Sequence, residues 1–509
     1  MNNVLRNYDQ LKIGAILNYV LILLNTVVGL VYIPYMLRMM GQSEYGLYSL
    51  VSSVISYLTI LDLGIGNAII RYTAKYRAEG KVKEQYELFG MFFILYLIIG
   101  IVALGTGVGL YCNVDVIFAQ TMSSLELNRA RLMILILVFN LAITFPMSIF
   151  SSILTAYEEF IFPRIINILR ILLNTIIMVV LLHYGYRAVA MVIVQTVFNI
   201  LTLIINYIYC KYNLKIQLIF NKFKWGLLKE VSVYSFWILL NVIMDKLYWS
   251  TGQFVLGAIS GTIAVSVFAV AIQFQSMYMQ FSTAISSVFL PKITSMVSKD
   301  CSNQELSLLF IKTGRIQYII MCFIMCGFIV FGKPFIILWA GKEYLEAYVI
   351  TVLFFVSLVI PLIQNIGITI LQAKNQMKFR SILYICIASV ALVFEILLSK
   401  HMGIIGCAIA ISGAILLGQG VIMNVYYSKV QNINIVKFWK EIIKMSIVPF
   451  ITTIAATIYV RQLNVQSWFD LFRLIIIYTI IYVPLFWFVS MNKDEKLIVK
   501  HLIKRVTHI

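Results

Sequence analysis

Charge is scarce in this chain: Asp, Glu, Lys and Arg make up 12% of 509 residues, against 61% hydrophobic residues. A sequence so poor in charge cannot cover a water-facing surface, which excludes an ordinary soluble fold and leaves a polytopic membrane protein. The seven cysteines (Cys112, Cys210, Cys301, Cys322, Cys326, Cys386 and Cys407) are odd in number and scattered, so they offer neither a disulfide framework nor a zinc pattern. Cys322 and Cys326 sit one helical turn apart with no histidine or second pair beside them, which makes them packing residues. No loop is long enough to form an external domain, and no nucleophile with its base, phosphate loop or metal cluster is present. Enzyme chemistry, catalytic residues and cofactors are therefore not expected. The first apolar run lacks a small-residue cleavage site and is expected to remain as the first helix.

What the sequence has in abundance is apolar runs of about twenty residues, each able to cross roughly 30 Å of hydrocarbon as a helix. Fourteen such runs lie between residues 13 and 490. Backbone groups find no water in lipid, so runs this long must be helices. The net charge of +19 invites a nucleic-acid reading, but the basic residues are sorted by loop. With the N-terminus inside, 29 Lys and Arg fall on that side and 8 on the other. The positive-inside rule then places both termini in the cytoplasm and the chain in the cytoplasmic membrane. The charge is a topology signal, and nucleic-acid binding is not expected.

The chain also repeats itself. Ile153-Leu154-Thr155-Ala156 returns as Ile370-Leu371-Gln372-Ala373, and His183-Tyr184-Gly185 returns as His401-Met402-Gly403, offsets of 217 and 218 residues. A block of helices copied in tandem predicts an all-α membrane protein of about 14 transmembrane helices, with two six-helix lobes followed by two C-terminal helices. The expected division is an N-lobe over 1–210, a cytoplasmic linker over 211–230, a C-lobe over 231–428, and a last helix pair with a cytoplasmic tail over 429–509. Six passes return the chain to its starting side, so the two copies run in the same direction. A duplicated bundle of this kind usually brackets a cavity that opens to alternate sides, as in a transporter.

Polar residues inside the runs mark the candidate site. Asp245 and Lys246 lie about fifteen residues into the seventh run, near mid-membrane, where charges are costly unless they face a cavity or a partner. Asn241, Asp245, Tyr248 and Gly252 share one helical face. At an offset of 220, Asn25 falls opposite Asp245, and Asn18 lies on the same stripe as Asn25. The eighth run adds Gln273, Ser276, Gln280, Thr283 and Ser287, and the second adds Ser49, Ser52, Ser56 and Thr59, each set stepping by three or four. Four such stripes describe a cavity wall of amides and hydroxyls, the groups that hydrogen-bond sugars. Helix-to-helix glue is the competing reading of the same residues. In the fifth run Asn167, Arg170 and Asn174 share a face. Arg170 can either meet a phosphate or snorkel to the cytoplasmic boundary. Glu395 is expected to reach water or Lys400 near the outer end of the eleventh run. Asp62 is compatible with capping or with gating.

Several stretches resemble a known family. Pro34-Tyr35-Met36-Leu37-Arg38, Gly41, Glu44-Tyr45-Gly46-Leu47-Tyr48, Leu61-Asp62-Leu63-Gly64, and Arg71-Tyr72 through Glu79-Gly80 are similar to the opening signature of bacterial polysaccharide flippases of the Wzx type. Leu338-Trp339-Ala340-Gly341-Lys342-Glu343-Tyr344 resembles another of their recurring stretches. These flippases share a superfamily with the lipid II flippase and the MATE drug exporters. The resemblance implies a MATE-like fold with two lobes around a central cavity and alternating access. It also implies an undecaprenyl-pyrophosphate-linked oligosaccharide as substrate, moved from the inner to the outer leaflet, with polysaccharide polymerase and glycosyltransferases as partner activities. Lipid II flippases carry arginines in the first helix for the pyrophosphate, whereas this chain offers Asn18 and Asn25, so that contact would fall to Arg38, Arg170 or Lys246. Asp245 and Lys246 are candidates for coupling to H⁺ or Na⁺.

Other classes compete. A cation-coupled multidrug exporter of the same fold would want an aromatic, anionic cavity, whereas these stripes are rich in amides. A membrane-embedded polymerase or lipid-linked glycosyltransferase resembles proteins with large outer catalytic loops, which this chain lacks. A structural scaffold for assembly is the third alternative.

Overall fold

The computed structural model describes residues 2–220, 225–287, 289, 293, 295–297, 299, 301–374, 376–463, 465–497 and 500. Among them there is no strand. The chain is all-α, with helices α1 (Asn2–Leu58), α2 (Ile65–Ala78), α3 (Val82–Phe118), α4 (Ser124–Ala156), α5 (Ile161–His183), α6 (Ala188–Tyr212), α7 (Trp225–Trp249), α8 (Thr251–Ser287), α9 (Asn303–Trp339), α10 (Glu346–Ile363), α11 (Asn365–Ala373), α12 (Lys378–Ile415), α13 (Met423–Lys429), α14 (Ile435–Arg461) and α15 (Trp468–Leu485). Eleven of the described helices are long and apolar enough to cross a membrane, which makes this a multi-pass membrane protein.

The sequence pattern shows fourteen apolar runs where the described residues give eleven helical stretches, because three pairs of runs join end to end, over Ile16–Ala78, Val242–Ser286 and Lys378–Lys429. In each merged stretch a glycine with positive φ stands between the two runs: Gly41, Gly261 and Gly403. In α1 that break turns the chain back on itself. Residues 31 apart on a straight helix would lie about 46 Å from one another, yet Asn25 and Ser56 line one cavity of about 550 Å³.

Local chemistry sets the helix ends. Ser123 and Glu126 form a reciprocal capping box at the start of α4, and Ser302 and Glu305 form another at the start of α9, so two orphan backbone donors are satisfied at each end. Asn434 caps α14 and Ser467 caps α15. The Leu-Asp-Leu-Gly motif is a turn, a short 3₁₀ stretch over Thr59–Asp62 followed by Leu63 (φ 53°) and Gly64 (φ 71°) in the left-handed region. Asp62 accepts a hydrogen bond from the Tyr96 hydroxyl at 2.8 Å, which ties that turn to α3.

Contacts divide the chain into two compact units, Met1–Ser266 and Val267–Ile509. Lipid removes most of the hydrophobic drive for helices to associate, so close approach must come from small residues. In the first unit Gly100, Ala103 and Gly107 form such a seam on α3. A side chain at Gly100 would fall 2.7 Å from the Ala142 carbonyl, and one at Gly107 would overlap Val138 of α4. Beneath it, Ile69 and Tyr72 of α2, Phe89, Phe92 and Tyr96 of α3, and Phe145, Ile149 and Ile153 of α4 form one buried cluster. The face of α5 bearing Ile165, Leu169, Leu172, Ile176 and Val180 is exposed, at the spacing of a lipid-facing stripe.

In the second unit Phe310 of α9 meets Phe438 of α14 edge-on, and Tyr278 stacks on Phe355 of α10. Arg315 is 5% exposed and is held between Glu495 (2.6 Å) and Glu441 (2.7 Å). Glu395 is fully buried, at 0% exposure, and among the described residues neither of its oxygens has a hydrogen-bond partner. The expectation that it reaches water or Lys400 is therefore corrected: its position on α12 turns it into the protein.

Candidate functional site

Four helices of the first unit, α1, α4, α5 and α6, enclose the cavity of about 550 Å³. Its wall carries five amides, Asn25, Asn140, Asn174, Gln195 and Asn199, and a row of hydroxyls on the second arm of α1 at Ser52 and Ser56 and in the following turn at Thr59. Helical spacing puts Ser52 and Ser56 on one face. Arg170 is the one cation among the lining residues, and no carboxylate accompanies it.

Two of the amides orient each other. Asn199 donates to the Asn140 side-chain oxygen and to the Thr144 hydroxyl, both at 2.8 Å, which joins α6 to α4 across the wall. Asn25 donates to the Leu21 carbonyl at 3.0 Å, so its own oxygen is left for other donors. The Asn174 oxygen is buried and, among the described residues, has no hydrogen-bond partner. Arg170 is half-buried and, among the described residues, forms no hydrogen bond or ion pair. A charge within a membrane-spanning helix that faces a cavity with no counter-ion is a candidate binding group.

At one end of this cavity the helices are bridged by side chains. The Tyr48 hydroxyl donates to Gln195 at 3.0 Å, and the Tyr32 hydroxyl lies between the sulfurs of Met178 (3.2 Å) and Met191 (3.4 Å). Beyond this layer, toward Gly41, Glu44 pairs with Arg129, and Glu126 accepts from Ser43 at 2.5 Å and Thr262 at 2.8 Å. The motif residues 44–48 thus contribute to these bridges.

Comparisons with known proteins can now be set beside this geometry. The family described as "Polysaccharide biosynthesis protein" matches residues 11–297, more than half of the chain and all of the residues that line the cavity. The chain belongs to the polysaccharide biosynthesis protein family. No curated protein matches it. Among solved structures, it is similar to the lipid II flippase MurJ in an inward closed conformation, with a TM-score of 0.70 and 17% identity over 93% of this chain and 98% of that one. An inward-facing MATE family multidrug resistance transporter of the MOP superfamily gives 0.61 and 14% identity over 81% and 99%. A MOP superfamily transporter from Pyrococcus furiosus, described by the reverse polarity of its binding pocket, gives 0.55 and 14% over 81% and 93%. These likenesses establish a MurJ- and MATE-like fold.

In this polysaccharide biosynthesis protein the candidate residues named from the sequence separate. Asn25 and Arg170 line the cavity together with Ser52, Ser56 and Thr59. Asn18 is half-buried on the same helix as Asn25 but is not part of the wall, and Arg38 is exposed past the bridged end. Asp245 is exposed and Lys246 half-buried on α7, and neither lines this cavity. The side chain of Asn241 lies outside the described residues. Gln273, half-buried, and Gln280, exposed, belong to the second unit. Sequence reasoning missed Asn140, Thr144, Gln195 and Asn199. Their signal was present, because Asn140 and Thr144, like Gln195 and Asn199, stand four apart in otherwise apolar helices.

Among the described residues no group of His, Cys, Asp and Glu could hold a metal ion.

Proposed function

We propose that this protein moves a lipid-linked oligosaccharide across the cytoplasmic membrane, and that the cavity of the first unit receives the polar head of that substrate. The observation that carries this reading is Arg170, unpaired among the described residues, in a wall of amides and hydroxyls free of carboxylates. A glycan cannot cross hydrocarbon unaided, because each unpaired polar group costs a few kcal/mol there. Amides and hydroxyls replace its lost water, and a guanidinium adds charge-assisted bonds to an anion such as the substrate's pyrophosphate. The greasy anchor meanwhile stays in lipid.

Family membership supports a role in polysaccharide export, and the MurJ-like fold supports movement of the substrate from the inner to the outer leaflet by alternating access. A multidrug exporter selecting cations is disfavoured by a cavity whose one charge is positive. Both termini are assigned to the cytoplasm on the distribution of Lys and Arg. Coupling to H⁺ or Na⁺ at Asp245, with Lys246 beside it, is a separate proposal, and unchanged transport in Asp245→Asn would remove it.

The reading is tested by reconstituting the full chain in proteoliposomes with a fluorescent undecaprenyl-pyrophosphate-linked oligosaccharide and following its protection from an external glycosidase. Protein-dependent, saturable translocation is expected. Rates equal to those of protein-free vesicles, alongside export of a cationic dye, would overturn it in favour of the drug exporter.

A further inference from the structure

The second arm of α1 is zipped to the chain between Ser250 and Thr262 by unusually close contacts, all within the first unit. The Ser56 and Ser250 hydroxyls are 3.0 Å apart, and those of Tyr57 and Thr251 are 2.5 Å apart. Farther along, a side chain at Gly257 would fall 2.6 Å from Leu50, and Gly46 meets the Thr262 carbonyl so closely that no side chain fits. Residue numbers rise on one rod as they fall on the other, so the two run antiparallel. Ser52 and Ser56 on that arm also line the cavity, which makes this seam part of its wall.

At the Gly41 end the seam is fastened by one carboxylate. One oxygen of Glu126 accepts from Ser43 of α1 and Thr262 of α8, while the other accepts from the backbone and hydroxyl of Ser123 at 2.9 and 2.8 Å. The chemistry suits something that opens. Glycine and serine contacts part without disturbing interlocked side chains, and water can replace hydroxyl bonds. When the Ser43 and Thr262 bonds break, Glu126 keeps both Ser123 donors, so no charge is left bare.

We propose that this seam is the gate that parts to open the cavity toward the Gly41 side, and that Glu126 is the pin that holds it shut. The inference rests on the transporter reading, because a site that serves both faces of a membrane needs a wall that opens on each. Its test reads access to the cavity and not transport, so the two can fail separately.

The full chain, with its seven cysteines replaced by alanine and Ser52→Cys added as reporter, is placed in sealed vesicles of each orientation and exposed to a membrane-impermeant maleimide. Glu126→Gln should raise labelling from the Gly41 side about tenfold, the change expected when charge-assisted hydrogen bonds become neutral ones. Adding the pair Ser56→Cys and Ser250→Cys and oxidising it before the maleimide is added should abolish that gain. Unchanged labelling in a Glu126→Gln protein that still elutes as a folded species would overturn the proposal, as would labelling that persists in the oxidised pair. Should Glu126→Gln fail to fold, Thr262→Val removes one bond to the pin and spares the Ser123 cap. It carries the same expectation, and unchanged labelling there overturns the gate equally.

Discussion

Gly41 and Gly261, 220 residues apart, share one backbone conformation: φ 78° with ψ 169° in the first, φ 81° with ψ −176° in the second. This region is essentially closed to residues bearing a Cβ. The coincidence places the same break at matching points of the two sequence copies, and the repeated His-x-Gly stretches do likewise, with positive φ at Gly185 (84°) and Gly403 (57°).

Alanine at Gly41 or Gly261 is expected to cost about 1–3 kcal/mol of stability through strain at that conformation. Gly80, with φ 70° and open space around it, is the control. Gly80→Asn should be nearly neutral, because asparagine tolerates the left-handed region. Thermal unfolding in detergent, followed by dye binding to exposed cysteines, checks all three.

Replacing Arg170 by alanine should slow translocation of the lipid-linked oligosaccharide by about tenfold or more, the loss of one charge-assisted contact, with little effect on melting. Arg170→Lys should recover part of the rate, since it keeps the charge but loses the planar fork. Equal rates in all three proteins would remove Arg170 from the site.

Asn199 and Asn140 should prove energetically coupled. Hydrogen bonds between helices in lipid are worth about 0.6 kcal/mol on average, so Asn199→Leu alone should cost about 1 kcal/mol, with the orphaned Asn140 oxygen adding to the loss. The double replacement Asn199→Leu with Asn140→Leu should cost less than the sum of the two singles. Strict additivity would show that the bond seen across α4 and α6 does not contribute.

Arg315 and Glu395, both buried in the second unit, should respond differently to replacement. Arg315→Gln strands Glu495, which is 3% exposed, beside Glu441 and should cost about 3–5 kcal/mol. Glu395 has no hydrogen-bond partner among the described residues, so Glu395→Gln should leave the melting temperature unchanged or raise it.

Much of this was legible in the sequence for physical reasons. Lipid forces every long apolar run into a helix, so the all-α class follows from composition, and the serines of the second run could be placed on one face by counting. Arg170 was visible as a charge inside an apolar run, but counting left phosphate contact and snorkelling equally open, and Asp245 and Lys246 were the more conspicuous charges. What could not be read were the helix partners. Asn140 and Asn199 are 59 residues apart and meet only once α4 and α6 pack. Glu126 looks like an ordinary capping residue until Thr262, 136 residues away, is brought onto it. Glu395 lies near the end of an apolar run, yet only the packing of α12 decides whether it faces solvent.

Every residue lining the cavity falls between Asn25 and Asn199. Under the proposed function, the groups that meet the cargo are written into a contiguous early portion of the reading frame, and exchanging the codons up to 199 between two such proteins should carry cargo preference with them while the remaining three-fifths of the gene stays as it was.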